Sequence, residues 1–173
     1  MTKNQIVEKA QEFCIDNKIN DYPVKIVQIC ENYDIKVFEQ YLPPEVSGFI
    51  VIQEENFKFY DTNKLIVVNL SDSARRRRFT IAHELAHYIL HREKDQPIYA
   101  HRDAGQYGGI ETEANLFASN ILMPENLVKD ALSHFESDAW GEVPFFEKIS
   151  FIADEFAVSE QAAQVRLEQL GVN

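Results

Sequence analysis

Hydrophobic and polar positions along this chain follow two different periods. Ile6, Val7, Ala10, Phe13 and Cys14 recur at helical spacing, which predicts an amphipathic first helix over residues 2–17. Tyr22-Pro23 opens a second, with Pro23 near its first turn and Val24, Val27 and Cys30 inward. Residues 35–40 read as a short strand stopped by Pro43-Pro44. The period then shortens in three β-rich runs, GFIVIQ (48–53), residues 57–60 and LIVVNL (65–70). Glu54-Glu55-Asn56 and Asp61-Thr62-Asn63 separate these runs, so they predict a small antiparallel three-stranded sheet. Helical spacing returns over 73–91, 111–122, 125–135, 145–156 and 160–169, with a polar, glycine-containing loop at 92–110. The sum is a helix-rich α+β fold. With no repeat and no long linker, residues 1–173 read as one domain with a C-terminal helical subregion from about 144.

Composition narrows the classes. With 45% hydrophobic and 12% aromatic residues the chain can build a sizeable core. Its net charge of -11 argues against non-specific binding to nucleic acid or anionic membrane. Cys14 and Cys30 are too few for a disulfide framework. The polar N-terminus lacks a signal peptide's apolar centre, and no segment has the apolar length of a membrane span. A cytoplasmic protein is the expectation.

The segment RRRRFTIAHELAHYILH (75–91) carries the candidate chemistry. His83-Glu84-Leu85-Ala86-His87 fits H-E-x-x-H, which on a helix puts both imidazoles on one face, a turn apart. Glu84 lies about 100° round the helix from His83, beside a metal and not on it. There it can take a proton from water and later give it to a leaving amine. Ile81, Leu85, Tyr88 and Ile89 cover much of the circumference, the pattern of a buried helix, and Ala82 and Ala86 leave the histidine face without bulk. The plainer reading is a chance pentapeptide on a surface helix, which these apolar flanks disfavour.

Catalytic zinc usually takes three protein ligands. The longer pattern HExxHxxGxxH fails, because Leu90 and Glu93 occupy its glycine and last histidine positions. The best source of a third ligand is IETEANLFASNILMP (110–124). Glu111 shares a face with Ala114, Asn115 and Ala118, small enough for close approach to a metal, and Asn115 could support a ligand by hydrogen bonding. Glu113 shares its face with Leu116, Phe117 and Asn120, and reads as first-turn charge, a role also open to Glu111. His91 is a candidate for supporting a ligand or lining the rim. Tyr99, His101, Asp103 and Tyr107 could touch substrate or steady the oxyanion, but nothing in the sequence selects one, and surface loop residues are the plainer reading.

RRFTIAHELAHYILH (77–91), ETEANLFASNILMP (111–124) and FIADEFAVSEQAAQVRLEQLG (151–171) together resemble the ImmA/IrrE metallo-endopeptidases. The resemblance implies a zincin-like, helix-rich α+β domain around a small sheet. It implies Zn2+ held by His83, His87 and Glu111, with Glu84 as general base; Glu111 stands four residues before Asn115, as the family's ligand stands before its Asn. It also implies a protein substrate, a helix-turn-helix transcriptional repressor of a phage, other mobile element or stress response. The chain's length suits the stand-alone, ImmA-like type.

Residues 149–169 have the look of a helix-turn-helix, with Ser159 a good N-cap. In residues 144–173, however, only Lys148 and Arg166 stand against Glu147, Asp154, Glu155, Glu160 and Glu168, so phosphate would be repelled. This segment reads as packing or protein docking. Arg75 to Arg78 oppose the dipole of the helix they begin. They read as a solvated turn, with Arg76 or Arg78 paired to carboxylates, or as one or two cations that dock an acidic partner or orient the helix. The expected function is a zinc endopeptidase acting on one protein. The alternative is a catalytically silent module that uses the same fold to bind a repressor or DNA.

Overall fold

The computed structural model describes residues 1–91, 108–139 and 141–172. Two short helices, α1 (Lys3–Asp16) and α2 (Ile26–Asn32), precede three strands, β1 (Ile35–Gln40), β2 (Gly48–Ile52) and β3 (Lys64–Asn69). Five helices follow: α3 (Ala74–His91), α4 (Gly108–Leu122), α5 (Glu125–Ser137), α6 (Phe145–Glu155) and α7 (Glu160–Gln169). The helix-rich α+β class stands.

The sheet is mixed, not antiparallel. Its order is β1-β3-β2, with β1 parallel and β2 antiparallel to β3. The expected strand at 57–60 is a turn, where the Asn56 side chain bonds Asp61 and the backbone closes from Tyr60 to Phe57. Phe59 and Tyr60 are exposed, so those residues have no buried face with which to join a sheet. The physical reason lies in β3. Ile66, Val67, Val68 and Asn69 are buried in succession, as in a central strand covered on both faces. Such a strand needs partners on both edges, and residues 35–40 supply the second. Buried Asn69 fixes the β1–β2 connection: its Nδ2 donates to the carbonyls of Leu42, Pro43 and Val46.

The second helix begins later than expected. Pro23 lies outside it, Ile26 and Ile29 face inward with Cys30, and Val27 is exposed. Lys25 takes the cap position, three residues after the predicted start.

Two features hold the central helix. Gly48 packs β2 against α3 so closely that an added Cβ would stand 2.6 Å from Thr80 Cγ2 and 2.6 Å from the Val67 carbonyl. An aromatic chain then links four segments, with ring centroids 5.4 Å apart for Phe117–Phe13, 5.9 Å for Phe13–Tyr33 and 6.2 Å for Tyr33–Tyr88. One hydrophobic cluster runs from Ile6 in α1 to Leu167 in α7. The helix-turn-helix look of the C-terminus is matched by α6 and α7, with Ser159 accepting from the Ala162 amide. Arg166 of α7 is buried and donates to the Met123 carbonyl just past α4. Among the described residues, no helix is long and apolar enough to cross a membrane.

Candidate metal centre

The sequence places His83 and His87 one turn apart on α3, and the fold buries both, at 5% and 7% exposure. Opposite them runs α4. Ala82, Ala86, Ala114 and Ala118 are fully enclosed in the core, and residues this small suit close packing of two helices. Ala82 and Ala86 thus face packed core.

α4 begins at Gly108, so Glu111 falls in its first turn, near the positive end of the helix dipole. Glu111 Oε2 lies 3.1 Å from His83 Nε2, and Oε1 lies 3.3 Å from His87 Nε2. The two Nε2 atoms are 3.0 Å apart. Among the described residues, His83, His87 and Glu111 form a three-residue group able to hold a metal ion.

The donor set fits zinc. Ligand atoms about 2.0–2.1 Å from a tetrahedral ion stand roughly 3.3 Å from one another, close to the separations here. Asn115 Oδ1 lies 2.8 Å from His83 Nδ1. A carbonyl oxygen only accepts, so His83 carries its proton on Nδ1 and turns the lone pair of Nε2 toward the cluster. Two imidazole nitrogens and a carboxylate meeting this closely call for a cation among them.

Exposure gives the site a direction. The side chains of His83 and His87 are 6% and 9% exposed, but that of Glu111 is 37% exposed. Asn115 is also exposed, so the cluster is closed on its α3 side and open along α4. Glu84 is 1% exposed, inside the protein on the helix that carries both histidines.

Glu113 lies apart from this cluster. It meets the N-terminal ammonium of Met1, and its Oε2 is 3.7 Å from His91 Nε2. His91 stands next to His87, with ring centroids 5.6 Å apart, and burial pulls its pKa below the usual imidazole value. Tyr99, His101, Asp103 and Tyr107 lie outside the described residues.

The four arginines diverge. Arg75 meets Asp154 of α6, and Arg76 reaches Ser47 Oγ at 2.8 Å and Asp72 at 3.2 Å. Arg77 meets Glu39 of β1 at 3.0 Å and the Asp72 carbonyl at 2.6 Å, while Arg78 donates to the Val24 carbonyl at 2.9 Å. Arg76 meets a carboxylate as the sequence suggested, whereas Arg78 reaches a carbonyl and Arg75 and Arg77 also pair with carboxylates.

Comparison with known proteins agrees with this geometry. Residues 30–168 match the family model described as the IrrE N-terminal-like domain, a peptidase family, and the chain belongs to that family. Over 101 residues it is 31% identical to the uncharacterized immunity region protein 2 of Bacillus phage phi105, covering 58% of this chain and 60% of that protein. It is 25% identical over 89 residues to metallopeptidase ImmA of Bacillus subtilis strain 168, covering 51% and 53% of the two chains. With the radiation response metalloprotease IrrE of Deinococcus radiodurans it shares 33% identity over 111 residues, which cover 60% of this chain and 33% of that one. The matched part thus spans from a third to three fifths of these relatives' own lengths.

Proposed function

We propose that this protein is a zinc-dependent endopeptidase that cleaves one specific protein inside the cell. The observation that carries the reading is the meeting of His83 Nε2, His87 Nε2 and the Glu111 carboxylate within 3.0–3.3 Å of one another. His83, His87 and Glu111 would hold the ion, with Asn115 fixing the tautomer of His83. Bound zinc would polarise the scissile carbonyl and make water acidic enough to attack at neutral pH.

The chain's own residues supply the rest. Glu84 is the proton carrier: its carboxylate takes a proton from the attacking water and delivers it to the leaving amine nitrogen. Its burial keeps this carboxylate out of bulk water, on the helix that carries both histidines. The open α4 side, past Glu111 and Asn115, is where an extended segment of the substrate would enter.

For the substrate we favour a helix-turn-helix repressor of a mobile element, because one relative is a phage immunity region protein and another is metallopeptidase ImmA. The acidic surface suits recognition of a basic, DNA-binding protein better than of DNA itself. The test incubates the purified, zinc-loaded chain and its Glu84→Gln variant with the repressor encoded beside the gene. Cleavage by the first and not by the second is the expected result. Equal outcomes with both proteins would overturn the peptidase reading, and a chain that binds no stoichiometric metal would overturn the site.

A further inference from the structure

A second site lies away from the metal cluster and shares no residue with it. A cavity of about 580 Å³ is bounded by α1, the C-terminal end of α4, the start of α5 and α7. That volume is in the range of pockets that take small molecules. Its apolar wall includes Ala10, Ile15, Ile19 and Pro124.

The unusual lining residue is Arg166, which is 4% exposed. Among the described residues it makes one hydrogen bond, from Nε to the Met123 carbonyl at 3.0 Å, and no ion pair. Its two terminal Nη nitrogens therefore have no acceptor among the described residues. A buried cation without a paired anion is costly, and this one sits in a chain with 28 carboxylate side chains and a net charge of -11.

Glu125 is the cavity's one carboxylate, and its charge acts on Arg166 without a hydrogen bond or ion pair between them. Glu125 is engaged by Lys129, whose hydrogen bond holds its carboxyl below the usual range. Burial pushes the Cys14 thiol up to about 11, so it is neutral at physiological pH. The first turn of the 13-residue α5 points the same way. Pro124 is its N-cap and offers no side-chain acceptor, so no cap side chain engages the amides of Glu125 and Asn126 at the cavity wall.

We propose that this cavity binds a small amphipathic carboxylate. Its head sits on the Nη nitrogens of Arg166 beside the first turn of α5, and its tail lies along Ala10, Ile15 and Ile19. With Nε committed to Met123, the guanidinium presents its end-on pair of N–H groups, which matches the two oxygens of a carboxylate. One excess positive charge fits a monoanion, and the apolar wall disfavours a fully hydrated dianion such as phosphate. Because Arg166 also bonds the chain just past α4, an occupant would act on the helix whose first turn carries Glu111.

The test is calorimetry and amide NMR on the whole chain with hexanoate, hexylammonium, hexanol and inorganic phosphate. Hexanoate should bind saturably, one per chain, shifting the amides of Asn126 and Ile15. Hexylammonium and hexanol should bind at least about tenfold more weakly, and Arg166→Gln should weaken hexanoate by about tenfold or more. Ile15 is 75% exposed, so Ile15→Glu leaves the core intact while adding a carboxylate at the wall. It should weaken hexanoate several-fold and decides the matter if Arg166→Gln does not fold. Four results would each overturn the proposal: no saturable binding, unchanged affinity in the variants, binding that ignores the charge of the head, or tighter binding of phosphate. None of these bears on the metal centre, which is tested separately by metal content and Glu84→Gln.

Discussion

The two halves of α3 do opposite work with the same kind of material. Both are dense in groups able to carry charge: Arg75 to Arg78 at the start, then His83, Glu84 and His87 two turns later. In the second half the groups converge, bringing two imidazole nitrogens to 3.0 Å of each other on the face that meets α4. In the first half they diverge, toward α6, the sheet, and the chain before α2. Convergent polar groups of one helix face concentrate electron pairs on a point and call for a cation. Divergent ones tie a helix to its neighbours and fix where that point lies. The arginines need not favour the helix dipole, because their worth comes from what they reach.

Glu84→Gln should break the comparison most sharply on the convergent side. It keeps the shape but removes the proposed proton acceptor, so peptide cleavage should fall by about 10²–10⁴ while zinc content and melting temperature stay near wild type. Asn115→Ala should come next, with zinc affinity about 10–100-fold lower in a chelator competition, because His83 loses the partner that orients it. Unchanged affinity would mean the imidazole is held by packing alone.

Gly48→Ala probes the junction between the halves. Its new Cβ would meet Thr80 and the Val67 backbone, so urea unfolding should show a loss of about 1–3 kcal/mol. Arg78→Met keeps much of the side chain's volume but leaves the Val24 carbonyl without its donor, for about 1 kcal/mol by the same measurement. Activity per folded molecule should be preserved. Arg75→Gln should be the smallest effect, within about 0.5 kcal/mol, since both partners of its ion pair are exposed, at 41% and 72%. A larger loss at Arg75 than at Arg78 would reverse this account of the arginine turn.

Some features were readable because they are local. The spacing of His83 and His87, the apolar circumference of α3 and the N-cap at Ser159 depend on residues within a turn or two of each other. The five later helices accordingly lie close to where their periodicity put them. The sheet was not readable in the same way. Residues 35–40 and 57–60 are both short and apolar, and which of them pairs with β3 depends on contacts between distant segments. Arg166 shows a middle case. It recurs with Ala163 and Leu167 on the buried face of α7, a spacing that marks it as inward, but its cavity is assembled from four separate helices.

By itself, then, the sequence determined the helices, the pair of histidines and the acid beside them, because helical geometry converts spacing into direction. The tertiary structure decided three things. It brought Glu111 within 3.1–3.3 Å of both histidines, made the sheet mixed, and gave each arginine of the first turn its own partner. Each depends on the packing of elements far apart in the chain, and no local period encodes that distance.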